Sequence, residues 1–235
     1  MSGRKQAATE FKTEQENFWS GEFGNNYIDR NCDESIIAAN TATFSRILSS
    51  TNSVKSIIEF GANIGLNLIA IKRLFPNMDL SAIEINPKAV DQLKIIEGVK
   101  TYAQSILEYD VDFQRSFVFT KGVLIHINPR MLPVVYDLMY RTSSRCICMV
   151  EYYNPTPVEI NYCGHPDRLF KRDFAGEMMD KYGDLRLIDY GFNYRRDNNF
   201  SCGDENWFLL EKQQKKINSG SGKDSIKTVF CKCFK

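Results

Sequence analysis

Apolar positions recur along this chain with two different periods, and the switching between them predicts its architecture. Ile36, Ile37, Asn40, Phe44, Ile47 and Leu48 return every three or four residues, the spacing of a helix with one buried face. Residues 56–60 are instead short, apolar and β-branched, and read as a strand. The chain turns over 61–65, and Leu66, Leu68, Ile69, Ile71, Leu74 and Phe75 then restore a helical stripe that Pro76 ends. The same reading places strands at 80–85, 99–103, 116–120 and 145–152, with helices at 87–96 and 131–143. Repeated strand, helix, strand units of this length predict a Rossmann-like α/β fold with a parallel sheet covered on both faces.

The rhythm changes beyond residue 153. The segment NPTPVEINYCGHPDRLF carries three prolines and a glycine, so 153–173 is expected to be a long loop or partial lid above the sheet. A helix at 174–182 precedes two strand-like runs, LRLIDYGFNY and NWFLLEK, joined by a polar turn as in an antiparallel hairpin. The expected organisation is a cap helix over 1–33, one domain over 34–212, and a Ser/Gly-linked tail over 213–235 outside the core.

Composition narrows the function classes. Thirty Lys and Arg almost balance 29 Asp and Glu, which leaves no field to hold nucleic acid or a membrane surface. The seven cysteines contain no C-x-x-C pair, which fits a reduced cytoplasmic setting. Cys146 and Cys148 alternate on a strand and read as core packing. Cys231 and Cys233 alone would make a weak metal site, so no metal is expected. The N-terminal stretch is charged throughout, and no window approaches the length of a membrane span.

Candidate chemistry concentrates in EFGANIGLN at 59–67, a glycine-bearing turn between the first strand and its helix. Such a turn lets a ligand lie against the backbone and aims amides and a helix N-terminus at it. Nucleotide phosphates, dinucleotides and S-adenosylmethionine all use this geometry. The pattern E-x-G-x-N-x-G lacks the Lys-Ser/Thr of a P-loop, and Asn63 stands where a dinucleotide fingerprint has its second glycine. Asn tolerates positive φ, so the turn survives the replacement. Glu84 closes the second strand 23 residues after Gly61, where a carboxylate can accept hydrogen bonds from both ribose hydroxyls. NAD sites share that acid. Gln104, Ser105 and Ile106 follow the third strand, in reach of an adenine edge and face. Glu59, at the end of a buried strand, needs either loop amides or a ligand ammonium to satisfy it.

On these stretches the chain resembles class I S-adenosylmethionine-dependent methyltransferases. More narrowly, it resembles the bacterial pseudaminic acid biosynthesis-associated methylase family. The narrower likeness is carried by TEQENFWSGEFGNNYIDRN at 13–31, FTKGVLIHINP at 119–129, EYYNPTPVEINYCGHPDRLFKRDFAGE at 151–177, and DYGFNYRRD with NWFLLEK. It spans roughly residues 10–212 and implies a seven-stranded, mostly parallel sheet whose final hairpin supplies one antiparallel strand. It also implies S-adenosylmethionine as cofactor, S-adenosylhomocysteine as product, and a nonulosonic acid or sugar nucleotide as acceptor. A monomer or homodimer is expected, with no nucleic acid and no membrane as partner.

Roles follow residue by residue. Methyl transfer needs in-line geometry and exclusion of water, and a base only where the acceptor is a hydroxyl or protonated amine. His126 follows the fourth strand at the carboxyl edge of the sheet and is the candidate base; a structural histidine beneath the loop is the alternative. Tyr152 joins it as the second catalytic candidate. The cofactor set comprises Trp19, Glu59, Gly61, Asn63, Gly65, Glu84, Ile85, Gln104, Ser105, Ile106 and Lys121. By resemblance, Tyr27 and Arg30 take the methionine carboxylate. The acceptor is expected among Tyr153, Asn154, Glu159, Tyr162, His165 and Arg168. Two rivals stand beside this reading: an NAD-linked sugar oxidoreductase or epimerase, and a Rossmann-like scaffold that binds S-adenosylmethionine without turnover.

Overall fold

The computed structural model describes residues 11–213. Residues 1–10 lie outside it, and so does the expected tail from 214 onward with Cys231 and Cys233. The elements in chain order are α1 (Glu14–Ser20), α2 (Glu22–Arg30), α3 (Glu34–Ser49), β1 (Ser56–Phe60), α4 (Leu66–Leu74), β2 (Asp79–Glu84), α5 (Pro87–Leu93) and β3 (Val99–Ala103). There follow β4 (Arg115–Lys121), α6 (Leu132–Thr142), β5 (Ser143–Glu151), β6 (Val158–Tyr162), β7 (His165–Lys171), α7 (Phe174–Lys181), β8 (Leu185–Asn193) and β9 (Glu205–Lys212). Short 3₁₀ turns occupy Ile106–Glu108, Leu124–His126 and Pro129–Met131.

Seven strands form one sheet in the order β3-β2-β1-β4-β5-β9-β8. Neighbours are parallel except at β9, which runs antiparallel to both β5 and β8. The expected fold class therefore holds, including the single reversed strand. The order reverses between β1 and β4, so their loops diverge and leave a crevice beyond the carboxyl ends, where open α/β sheets bind ligands. One apolar layer, including Phe44, Ile57, Leu68 and Phe117, packs α3 and α4 on one face. The other, including Ile58, Val118, Leu132 and Met178, packs α6 and α7 on the opposite face. Strand ends far from the crevice are pinned by Arg115, fully buried, whose guanidinium donates to Asp112 and to Tyr102 and Tyr109 hydroxyls.

Three expectations change. The cap is a pair of helices, because Gly21 ends α1 and begins α2. Thr13 and Glu16 form a capping box at the start of α1. A Cβ on Gly24 would lie 1.9 Å from the Trp19 carbonyl oxygen, so only glycine lets the two helices pack this closely. The stretch 153–173 is not a loop but carries a hairpin, β6 antiparallel to β7. Cys163 and Gly164 turn it, both at positive φ (52° and 87°), between the paired Tyr162 and His165. Its prolines misled the reading. Pro155 and Pro157 precede β6, and Pro166 sits in a two-stranded ribbon, where an outward-facing position needs no N–H. Helix α5 also stops at Leu93, three residues short of the expected end.

Candidate active site

The turn after β1 is built by conformation before any ligand is considered. Gly61, Asn63 and Gly65 all have positive φ (76°, 49° and 83°), as the E-x-G-x-N-x-G pattern requires. The Gly61 and Ala62 amides donate to the Ile83 carbonyl at 2.9 and 3.0 Å, tying the turn to β2. The glycines make room for the protein itself. A Cβ on Gly61 would lie 2.7 Å from Val123, and one on Gly65 2.6 Å from Ile96 and 2.7 Å from Leu93. Gly65 thus serves α5 packing and does not border the crevice.

Glu84 ends β2 with its carboxylate buried beside that turn. One oxygen accepts the Asn63 amide and the other the Asn86 amide, both at 2.7 Å. Burial raises its pKa, and the amides partly offset this by favouring the anion. A carboxylate oxygen accepts two hydrogen bonds, so Glu84, which borders the cavity, keeps acceptor capacity beyond these two amides. Asn86 extends the arrangement into the cap, donating from Nδ2 to the Trp19 carbonyl and to Asn25, both at 3.0 Å. Ser105 donates to Glu16 of α1 and accepts from the Leu107 amide at 3.0 Å.

Between cap and sheet edge lies a cavity of about 470 Å³, within the range that holds a drug-sized ligand. Of the expected cofactor residues, Trp19, Tyr27, Gly61, Asn63, Glu84 and Ile85 border it, as do Ser105, Ile106 and Lys121. Arg30, Glu59 and Gln104 do not. The Arg30 guanidinium lies 5.6 Å from the Phe23 ring. Glu59 is wholly buried behind the turn, where Asn67 donates to one oxygen at 2.6 Å and the other has no partner among the described residues. Burial pushes the Glu59 carboxyl up to about 8, against the opposing pull of the Asn67 donor and the Lys121 charge.

Both catalytic candidates, His126 and Tyr152, border the cavity. His126 closes the 3₁₀ turn after β4, and the Glu151 carboxylate holds that turn by accepting the Val123, Leu124 and Ile125 amides at 3.1–3.4 Å. Its Nδ1 lies 2.5 Å from the Arg168 carbonyl oxygen on β7. The ring sits between Trp19 and Tyr162, with centroids 4.5 and 4.9 Å away. Burial there pushes its pKa down to about 4.

The expected acceptor residues are not gathered in this cavity. Tyr153, Asn154 and Glu159 lie outside it, and Glu159 borders a second hollow beside Gln15 and Asn128. Tyr162 packs on His126, and His165 meets Phe18 and Phe23 edge to face, with centroids 5.0 and 5.6 Å away. Arg168 bonds Glu14 at 3.2 Å and covers the Phe18 ring. In this structure the hairpin clasps the cap. A polar, tyrosine-rich segment reads the same whether it meets a ligand or another element.

The structure adds residues that pattern reading did not assign. Glu205, at the start of β9, pairs at 2.8 Å with Lys121, their side chains largely shielded from solvent, and both charges act on Tyr27 and Tyr152. Asn40, Asn67 and Trp19 border the cavity, and among the described residues the occluded Asn40 and Asn67 Oδ1 atoms and the Trp19 Nε1 have no hydrogen-bond partner. A signal existed for Asn40, since a polar residue interrupts an otherwise apolar stripe. Glu205 carried none, because it comes to Lys121 only through the β5–β9 pairing.

The strand order, the glycine turn and the crevice together define a Rossmann-like class I methyltransferase fold. Solved structures share it. The 1,6-didemethyltoxoflavin-N1-methyltransferase of Burkholderia thailandensis, with 1,6-didemethyltoxoflavin and S-adenosylhomocysteine bound, superposes with a TM-score of 0.67 at 12% identity, covering 89% of this chain and 94% of that one. Magnesium protoporphyrin IX methyltransferase from Synechocystis PCC 6803, with bound S-adenosylhomocysteine, gives 0.61 at 10% identity over 84% and 98%. The plantazolicin methyltransferase BpumL, in complex with a pentazolic desmethylPZN analogue and S-adenosylhomocysteine, gives 0.56 at 14% over 81% and 90%. Searched as a sequence, the chain matches no family model and no curated protein. The likeness to pseudaminic acid-associated methylases rests on the sequence blocks alone. Among the described residues no group of three metal-ligating side chains occurs, and no helix is long and apolar enough to cross a membrane.

Proposed function

We propose that this protein transfers a methyl group from S-adenosylmethionine to a small polar acceptor. The observation that carries this is the Glu84 carboxylate, buried at the end of β2 beside a three-residue positive-φ turn and bordering a 470 Å³ cavity. A ribose presents two hydroxyl donors, and Glu84 retains an acceptor position on each oxygen for them. Ile85 and Ile106 supply apolar faces for a base, and Asn40 and Trp19 border the same cavity with polar side chains whose occluded Oδ1 and Nε1 have no partner among the described residues. S-adenosylmethionine supplies an electrophilic methyl group on a sulfonium. The protein's own residues bind, orient and exclude water. His126 and Tyr152 border the space where an acceptor would stand.

The sequence blocks at 13–31 and 151–177 support a nonulosonic acid or sugar nucleotide as that acceptor, in a cytoplasmic pathway. A scaffold that binds S-adenosylmethionine without turnover is the second reading, favoured by the occupation of Arg168 and His165 in cap contacts. The test is incubation with methyl-labelled S-adenosylmethionine and a panel of sugar acids, sugar nucleotides and unrelated small metabolites, read by mass spectrometry. Gain of one methyl on a single compound supports the enzyme. Tight S-adenosylhomocysteine binding with no transfer to any compound supports the scaffold.

A further inference from the structure

His126 is held from two directions. The Glu151 carboxylate fixes its backbone turn through three amides, and the β6–β7 hairpin fixes its ring through the Arg168 carbonyl 2.5 Å from Nδ1. A carbonyl only accepts, so Nδ1 must carry the hydrogen. The Trp19 and Tyr162 rings enclose the imidazole and favour its neutral form, which has a single N–H. The lone pair is then on Nε2, for which no protein partner occurs among the described residues, and the ring borders the cavity.

Resting on the proposed function, we infer that the hairpin sets the tautomer of His126 and thereby the class of acceptor: the attacked group carries a hydrogen, as a hydroxyl or an N–H amine does. A lone pair at Nε2 attracts such a hydrogen and repels the lone pairs of a carboxylate. In the transfer step the acceptor's lone pair forms the new bond to the methyl carbon. The carbon–sulfur pair returns to sulfur as a neutral thioether, and the acceptor's proton passes to Nε2. Arg168 contributes through its main chain and acts as a positioning residue. Its side chain is committed to Glu14 and Phe18 of the cap, which keeps β7 against the imidazole.

The chain has two histidines, His126 and His165, so imidazole nitrogen NMR on the ¹⁵N-labelled protein at pH 7 resolves each ring. The expected result is one ring in the neutral Nδ1–H tautomer, lost in His126→Gln. Should that variant fail to fold, His165→Gln assigns the ring by leaving it in place. The opposite tautomer, or an imidazolium, would overturn the inference. The second arm supplies methyl-labelled S-adenosylmethionine and a deproteinised metabolite extract. Label retained through mild alkali marks an ether or N-methyl product and supports the inference; label released as methanol marks a carboxyl ester and overturns it. Absence of S-adenosylhomocysteine binding in the wild-type chain would sink the underlying reading instead, with the tautomer unaffected.

Discussion

The β2 wall of the cleft and its α3–α4 wall are built on opposite terms. Along β2 each polar group already has a partner: Glu84 holds two amides, Asn86 holds the cap, and Ser105 bridges Glu16 and Leu107. Across the cavity Asn40 and Asn67 leave an oxygen unpaired, and Glu59 behind them keeps a proton with one oxygen bare. A satisfied wall is rigid before a ligand arrives and contributes through pre-organisation. An unsatisfied one carries a standing cost of about 1–3 kcal/mol per buried group, which a hydrogen-bonding ligand can relieve. The exception among the charged groups of the cleft, at the end of β4 and the start of β9, is the ion pair of Lys121 with Glu205, whose side chains are only 12% and 10% exposed.

The largest effect should come from breaking that exception. Lys121→Met leaves Glu205 in place with its partner gone, and losing one member of a buried pair costs about 3–5 kcal/mol. Chemical denaturation should show the loss, and Lys121→Met combined with Glu205→Leu should recover most of it. A single variant as stable as wild type would mean that the pair is solvated and the wall is not closed there.

Next in size is the pre-organised side. Glu84→Ala removes the ribose acceptor and the anchor of the turn together. Charged hydrogen bonds of this kind are each worth about 1.5–3 kcal/mol, so S-adenosylhomocysteine affinity should fall by roughly a hundredfold or more. Calorimetry measures it, with circular dichroism to check the fold. Unchanged affinity would remove the ribose assignment and with it the contrast between the walls.

How far the sequence went follows the same division. The strand–helix–strand alternation, the strand positions and the positive φ at Asn63 were legible because each is a local consequence of periodicity or of a residue's own steric limits, whereas the seven strands with one reversed came from the resemblance. Glu84 was legible because its place at a strand end beside the turn is a matter of counting residues. The 153–173 hairpin was hidden by its prolines, and the acceptor roles drawn from it did not gather at the cavity, because tyrosines and charges there meet α1 and α2. The Lys121–Glu205 pair was invisible for a different reason. It joins strands 84 residues apart through β5, and no spacing rule reaches that far.

Glu59→Gln should give a smaller effect, of opposite sign. Its carboxyl ionises near 4.5 in the unfolded chain and holds its proton to about 8 when folded. Between those values the unfolded state binds fewer protons, so the wild type loses stability as pH rises through the window and keeps it fully below 4.5. Gln preserves an oxygen for Asn67 and has no proton to lose. The variant should therefore gain on the order of 2 kcal/mol at pH 8 and show a flatter stability profile between pH 5 and 8. An identical profile would mean that Glu59 is ionised in the folded protein and held by Lys121.

Asn40→Ala offers the finest separation of the two walls. The side chain is 2% exposed, and its Oδ1 makes no hydrogen bond to the protein. Removing it should leave the free protein as stable as before, or more stable by up to about 1 kcal/mol, because an unpaired polar group is deleted from the interior. The same change should weaken S-adenosylhomocysteine by roughly five- to tenfold, the worth of one neutral hydrogen bond. A structural asparagine would do the reverse, losing stability and leaving affinity unchanged. Thermal melts with and without ligand decide between them: ligand should raise the melting temperature less in the variant than in the wild type, although the unliganded variant melts no lower. Only a wall whose polar groups are kept for a ligand trades stability for affinity in that direction.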